Sequence, residues 1–138
     1  WFFTVHMGWW NDEEEPFADQ WKCIQERLKN PEYREGNIWL MGDFNSQDDV
    51  RGEGYDLVLK SGWKDTYLLA EEKDDGITVA EEIDGWREAD GRSKAAKNEK
   101  RLDYIFCNTQ ADVRTSNVIC NGKNAPVVSD HYGVVITV

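Results

Sequence analysis

Three short apolar runs in this chain each adjoin side chains that carry carboxylate, amide or imidazole groups. Runs of this length and composition are typical of strands buried within a layered fold. Polar groups are costly beside such strands unless they are paired or functional, so we expect these groups to meet at one site. The segments are Gly42-Asp43-Phe44-Asn45, Arg101-Leu102-Asp103-Tyr104-Ile105-Phe106 and Ser129-Asp130-His131.

The size and charge of the chain limit its class. Its 138 residues, 40% hydrophobic and 12% aromatic, suit a single domain with a substantial core. The net charge of −11 disfavours general nucleic-acid binding, because that binding depends on neutralising phosphates. A bound cation and a few local basic residues can reverse the sign of the electrostatic field in a cleft, so the net charge does not exclude a nuclease.

The cysteines indicate no zinc site and no disulfide framework. Cys23, Cys107 and Cys120 are odd in number and lack a Cys-x-x-Cys spacing. Reduced and mostly packed thiols favour a cytoplasmic protein.

The sequence has no apolar run long enough to span a bilayer, and a signal peptide ahead of Trp1 is not excluded.

The apolar pattern predicts a mixture of strands and helices in one domain without repeats. Strands are expected over 1–6, 38–41, 102–107, 113–119 and 132–138, with 38–41 in the middle of a sheet. An amphipathic helix is expected from Pro16 to about Asn30, and a short helix over 55–59. Residues 66–70 are ambiguous. Residues 71–100 are expected to form a long surface loop with a short strand at 77–79.

Asp43 and Asn45 point the same way in an extended chain, because alternate residues of a strand share a face. A carboxylate beside an amide suits phosphoryl chemistry, since one group can orient water and the other can stabilise charge. The alternative is a strand end capped by turn-forming residues.

Asp103 and His131 form a second candidate pair. Asp103 lies on an apolar face of its strand, so it needs a partner. His131 is the candidate partner, and the alternative is a salt bridge to Arg101 or a nearby lysine. Asp130 and His131 point to opposite sides of an extended chain, so one can bind a cation while the other faces Asp103 or a substrate. The alternative for Asp130-His131 is an exposed turn.

His6 ends the first predicted strand and is followed by two tryptophans, Trp9 and Trp10. Histidine at a strand end is often structural, and the two indoles can belong to the core or provide a stacking surface.

In this order the motifs resemble the C-terminal half of the endonuclease/exonuclease/phosphatase superfamily. The resemblance covers nearly the whole chain and implies an α/β (α+β) fold: half of the four-layer sandwich of the deoxyribonuclease-like fold, with mostly antiparallel sheet and outer helices. Residues 1–138 would then be a single partial domain. The matching motifs are Thr4-Val5-His6, Gly42-Asp43-Phe44-Asn45, Trp63-Lys64-Asp65-Thr66, Leu102-Asp103-Tyr104-Ile105 and Ser129-Asp130-His131.

The resemblance implies a Mg²⁺- or Mn²⁺-dependent phosphoesterase in which His6 binds the scissile phosphate. Asp43 would orient or deprotonate the attacking water and help to hold the metal, and Asn45 would stabilise the developing charge. Asp103 would pair with His131, which would act as a general acid/base or phosphate ligand. Asp130 would contribute to the metal site.

The chain also departs from the family. The family's N-terminal half, with its asparagine and metal-binding glutamate, has no counterpart here. We therefore expect an exposed apolar sheet face, covered by self-association or by a separate N-terminal fragment. The fragment alone is expected to be inactive. An interpretation of another class is a catalytically silent fragment or binding module.

Two segments resemble a bacterial branch that contains sugar-phosphate phosphatases and lies near the sphingomyelinases. They are 6–10, with Trp9 and Trp10, and 84–87, with Trp86 and Arg87. These four residues are the candidate substrate-binding residues, since indole stacks on sugar rings and guanidinium binds phosphate. A small phosphorylated sugar is the expected substrate; a nuclease or a sphingomyelinase-type phosphodiesterase is the alternative.

Overall fold

The computed structural model describes residues 1–80 and 99–138, which form two β-sheets with helices. Seven strands and three α-helices are present in these ranges, together with one 3₁₀ turn at Pro31–Tyr33. In chain order they are β1 (Phe2–His6), α1 (Phe17–Leu28), β2 (Trp39–Asp43), α2 (Gly54–Lys60), β3 (Lys64–Asp65), α3 (Thr66–Leu69), β4 (Glu72–Lys73), β5 (Asp103–Cys107), β6 (Thr115–Ile119) and β7 (Gly133–Thr137).

The first sheet has the strand order β1-β2-β5-β3 and places the candidate site by its register. β1 runs parallel to β2, whereas β2 and β5 are antiparallel. His6 therefore lies beside Asp43, and Asp43 lies beside Asp103. The ends of β1 and β2 and the start of β5 thus meet at one edge of the sheet. The prediction that 38–41 lies within a sheet is confirmed.

One face of this sheet is covered by helices and holds the main core. α1 follows Pro16 and buries Phe17 and Trp21 completely or nearly so. Alternation along β5 turns Tyr104 and Phe106 to the same core. The predicted helix from Pro16 to about Asn30 is confirmed, with its end at Leu28.

The second sheet has the order β4-β6-β7, and β5 of the first sheet lies against β7. β6 and β7 are antiparallel, whereas the short β4 runs parallel to β6. Among residues 1–80 and 99–138, three of the five strand pairings are antiparallel, which agrees with the predicted mostly antiparallel sheets and outer helices. This architecture brings the chain after β6 back to the polar edge of the first sheet.

The region after α2 differs from the sequence prediction. Residues 66–69 form the helix α3, because the Asp65 carboxylate caps it by accepting the N–H of Tyr67 at 3.0 Å. The prediction of a surface loop is wrong around Thr78 and Val79, which are 0% and 1% exposed. A bridge joins Val79 to Lys100, in place of a longer strand at 77–79.

Two further observations concern membrane-spanning segments and the burial of the cysteine thiols. None of the helices in residues 1–80 and 99–138 has the length and apolar character needed to cross a bilayer. Cys107 is buried, whereas Cys23 is exposed on α1, so the expectation of packed thiols applies to only part of the set.

Candidate active site

Five of the residues singled out in the sequence converge where β1 and β2 end and β5 begins. Asp43 lies at the centre of this group, between the two histidines. His6 Nε2 lies 3.4 Å from Asp43 Oδ2, and His131 Nε2 lies 3.9 Å from the same oxygen. The five residues are His6, Asp43, Asn45, Asp103 and His131.

The backbone around Asp43 has two unusual features that fix its carboxylate. Gly42 has a φ of 133°, and a Cβ at this position would collide with the carbonyl oxygen of Val5 on the neighbouring strand. Asn45 has a φ of 44°, and its N–H donates to Asp43 Oδ1 at 2.8 Å. The Asn45 amide Nδ2 donates to the Met7 carbonyl at 2.8 Å, which ties the loop after β2 to the end of β1.

Partial burial raises the pKa of the Asp43 carboxyl above its ordinary value. The nearby Asp103 carboxylate adds to this rise, whereas the Asn45 N–H and the two histidines oppose it. A carboxylate with a raised pKa accepts a proton more readily at neutral pH. Asp43 is therefore suited to act as a base or to orient a water.

Asp103 pairs with His131, which decides among the partners that the sequence left open. The distance between Asp103 Oδ2 and His131 Nδ1 is 2.8 Å, and both side chains are largely shielded from solvent. The hydrogen bond to Asp103 raises the pKa of His131, although burial of the ring opposes the shift. When Nδ1 donates to this carboxylate, the ring orientation is fixed and Nε2 faces Asp43.

Three of these side chains could share a metal ion. Ligand atoms of Asp43, Asp103 and His131 all lie within 4.8 Å of one another. Carboxylate oxygens fit the preference of Mg²⁺ and Mn²⁺ for hard ligands, so the two aspartates fit such an ion. The imidazole suits it less well, and its Nδ1 is already held by Asp103.

Asp130 lies beside this cluster and outside the group of three. Its side chain is exposed, and its Oδ1 accepts from Ser129 Oγ at 3.2 Å. Its place among the metal ligands stays a prediction.

The predicted substrate-binding residues occupy different places. Trp9 is 41% exposed on the chain that follows His6, whereas Trp10 packs against Phe17 in the core. A stacking role is therefore open to Trp9, and Trp10 fits the structural alternative. Trp86 and Arg87 lie outside the described residues.

Arg101 belongs to a buried network behind the site that the sequence pattern did not predict. Its Nη2 donates to Asp65 Oδ2 at 2.7 Å, and its guanidinium carbon lies 4.5 Å from the Tyr67 ring centroid and 4.7 Å from that of Tyr104. Burial lowers the pKa of Arg101, but the hydrogen bond and charge of Asp65 outweigh this effect and raise it. The Tyr104 hydroxyl lies 2.6 Å from the carbonyl oxygens of Arg101 and Ser46, so this network supports the start of β5.

Solved structures of other proteins share this fold. A protein from Leptotrichia buccalis described as an endonuclease/exonuclease/phosphatase family protein matches 99% of the chain at 38% identity, with a TM-score of 0.75. The chain belongs to the endonuclease/exonuclease/phosphatase family. The family membership and half-domain fold predicted from the motifs are thereby confirmed.

Two solved structures of lower sequence identity are similar in fold to the chain. A mannosyl-6-phosphatase from Bacteroides thetaiotaomicron matches 99% of it at 19% identity with a TM-score of 0.69, and beta toxin from Staphylococcus aureus matches 97% of it at 16% identity with a TM-score of 0.63. At these identities the likeness concerns the fold. The chain spans about half the length of the solved structures it matches: 46% of the Leptotrichia protein, 49% of the phosphatase and 50% of the toxin.

Comparisons with protein-family models and with curated proteins found no match.

Proposed function

We propose that this chain is part of a divalent-metal-dependent phosphoesterase that hydrolyses a small phosphorylated substrate such as a sugar phosphate. The observation that carries the proposal is the convergence of Asp43, Asp103 and His131, whose ligand atoms lie within 4.8 Å of one another. Family membership supports the same reaction class. The overall reaction consumes water and converts a phosphate ester into an alcohol and inorganic phosphate.

Asp43 would receive a proton from the attacking water or hold that water in line with the phosphorus. Its raised pKa and its contacts with the two imidazoles favour this role. His6 would bind the phosphate, and Asn45 has a second amide hydrogen, beyond the one directed to Met7, for the developing charge.

His131 would donate a hydrogen bond or a proton from Nε2 to a phosphate oxygen or to the leaving alcohol. Asp103 holds the Nδ1 side of the ring and favours the protonated form of the imidazole. Nε2 lies 3.9 Å from Asp43 Oδ2, so this ring nitrogen and the Asp43 carboxylate face the same part of the site, where the phosphate would bind.

Mg²⁺ or Mn²⁺ would be held by the Asp43 and Asp103 carboxylates, with Asp130 as a further candidate. When bound, such an ion neutralises phosphate charge and polarises the phosphoryl oxygen.

A small substrate fits the charge of the chain better than DNA does. The net charge of −11 repels a polyanion, and the exposed Trp9 indole provides a flat surface for a sugar ring beyond His6. The shared fold with a mannosyl-6-phosphatase supports a phosphorylated sugar. A nuclease or phosphodiesterase activity is the alternative within the family, and a bacterial cytoplasmic setting is part of the same proposal.

We also propose that additional polypeptide, from the other half of a family domain or from a second copy of the chain, covers the β1 edge of the first sheet. Phe2 is 76% exposed and stacks on Trp39, with 6.5 Å between ring centroids. In the described residues, β1 is the outermost strand of its sheet, so one row of its backbone groups is open for pairing. The other half of a family domain would cover this edge, and self-association is the alternative. Light scattering after size-exclusion chromatography of the 138-residue chain should show a species larger than a monomer; a stable monomer contradicts this part.

The catalytic proposal is tested with the full-length natural protein. We expect Mg²⁺-dependent release of phosphate from a panel of sugar phosphates, and little turnover of DNA or sphingomyelin. Asp43→Ala and His131→Ala should each abolish this activity, because each removes a group that faces the reacting phosphate.

Asp112→Ala provides the control, since Asp112 is an exposed carboxylate before β6. Its activity should equal that of the unsubstituted protein. Activity retained by Asp43→Ala or His131→Ala contradicts the assigned site. A fully folded protein that binds no Mg²⁺ and turns over no ester supports the alternative of a silent binding module.

A further inference from the structure

We propose that Thr78 is a positioning residue that holds Asp103 and His131 in register with each other. The functional meaning of this role rests on the phosphoesterase proposed above. Thr78 is fully buried in a segment that the sequence predicted as surface loop. It forms hydrogen bonds to the backbone next to both members of the pair.

The first connection runs from the Thr78 side chain to the start of β5. Its Oγ1 accepts the N–H of Leu102 at 3.1 Å and the N–H of Asp103 at 3.3 Å. Leu102 is 0% exposed, so water does not reach this part of the backbone. The hydroxyl oxygen therefore satisfies the backbone donors at the residue whose carboxylate holds His131.

The second connection runs from the Thr78 backbone to the chain that carries His131. The Thr78 carbonyl accepts the N–H of Tyr132 at 2.8 Å. Tyr132 follows His131 directly, and its side chain is buried. A single residue thus fixes the backbone position of Asp103, which begins β5 of the first sheet, and the backbone position next to His131, which precedes β7 of the second sheet.

The segment around Thr78 is itself anchored, which is necessary for a positioning role. The Thr78 N–H donates to the Lys100 carbonyl at 2.9 Å. Val79 and Lys100 exchange two further backbone hydrogen bonds, at 3.0 and 2.9 Å. Movement of Thr78 would therefore break several buried hydrogen bonds at once. The free-energy cost of these losses keeps Thr78 in a fixed position.

Substitutions at Thr78 separate the hydroxyl from the shape of the side chain. Thr78→Val keeps the volume and branching but leaves the N–H groups of Leu102 and Asp103 without their acceptor. Thr78→Ser restores that acceptor and removes only a methyl group. Thr78→Ala lacks both groups and, compared with Thr78→Ser, isolates the hydroxyl if the valine variant does not fold.

Thr66→Val is the matched control, because Thr66 is also a buried threonine bonded to β5. Its Oγ1 donates to the Ile105 carbonyl at 2.7 Å, away from the Asp103–His131 hydrogen bond. Each valine variant therefore loses one hydroxyl that is bonded to the backbone of β5, and only the Thr78 hydroxyl is bonded to Asp103.

The experiment compares these variants in the full-length natural protein by NMR and by steady-state kinetics. The first measurements are the His131 Nδ1–H resonance and amide hydrogen exchange at Asp103 and Tyr132. Thr78→Val should lose or shift the His131 resonance and exchange faster at both amides. In turnover, kcat should fall by roughly 10- to 100-fold with KM within about twofold.

The outcomes separate the positioning role from general destabilisation and from the proposed function. The positioning role is supported if Thr78→Ser recovers the His131 resonance and the slow amide exchange, and if Thr66→Val leaves both unchanged. A His131 resonance that is unaltered in Thr78→Val, or identical in the serine and alanine variants, overturns it. The NMR and exchange measurements do not require turnover, so an inactive unsubstituted protein would refute the phosphoesterase and leave this test intact.

Discussion

His131 and Asp103 are joined by a 2.8 Å hydrogen bond although 28 residues separate them along the chain. Asp103 begins β5 in the first sheet, and His131 precedes β7 in the second. The pair therefore connects the two sheets at the edge where Asp43 lies. The geometry of this site depends on how the sheets pack as well as on the side chains themselves.

Asp103→Asn should lower the pKa of His131, because the hydrogen bond and charge of Asp103 are the main causes of its rise. A histidine with a raised folded-state pKa contributes stability below its unfolded pKa, and this contribution is lost as pH rises through the folded pKa. The free energy of unfolding should therefore fall less with rising pH in the variant. NMR titration of His131 and denaturant unfolding across this pH range check both effects.

The control for Asp103→Asn is Asp112→Asn, which removes an exposed carboxylate outside the candidate site. It should leave the His131 titration where it is in the unsubstituted protein. An unchanged His131 pKa in Asp103→Asn itself would contradict the assigned pair.

Asp43→Asn should abolish turnover and yet raise the melting temperature. The pKa of Asp43 is raised, chiefly by burial, so folding disfavours its ionised form and this carboxylate destabilises the folded state at neutral pH. The asparagine oxygen can still accept the N–H of Asn45. Calorimetry beside an activity assay tests this; a lower melting temperature would show that the charged carboxylate stabilises the fold.

Arg101→Met should destabilise the protein by about 3–5 kcal/mol, because it leaves the Asp65 carboxylate buried without its cation. Arg51→Met is the matched control, since the Arg51–Asp56 pair has an exposed arginine and should contribute less than about 1 kcal/mol. Denaturant unfolding measures both values. Equal losses in the two variants would contradict the role of the buried network.

Gly42→Ala should destabilise the protein by roughly 3 kcal/mol, from an unfavourable φ and a collision with the Val5 carbonyl. Gly62→Ala is the control: its φ is also positive, at 96°, but no atom lies within 4 Å of the added Cβ. That variant should lose only about 1 kcal/mol. If both variants lost the same free energy of unfolding, the positive φ would account for the whole effect and the collision with the Val5 carbonyl would contribute nothing.

Local sequence patterns predicted most of the elements and the residues at the site. The apolar runs at β1, β2 and β5 and the helical spacing of α1 appear where they were expected. These features follow from alternation and helical periodicity, which depend on residues close together in the chain. The helix α3 was missed because its start depends on the Asp65 cap more than on any apolar pattern.

The sequence pattern did not determine which charged groups pair with each other. The sequence left Asp103 with His131, Arg101 or a nearby lysine as its partner. The structure joins Asp103 to His131 and directs Arg101 to Asp65. The choice depends on which face of β5 meets the second sheet. No local pattern contains that information.

The strands, the amphipathic helix and the polar residues at strand ends follow from the amino-acid sequence alone, since short-range periodicity and residue chemistry are sufficient for these. The burial of Thr78 and its hydrogen bonds beside Asp103 and His131 depend on the folded arrangement of the two sheets. Such contacts join segments far apart in the chain. Their energy depends on the register and packing of whole sheets, which become defined only when the chain folds.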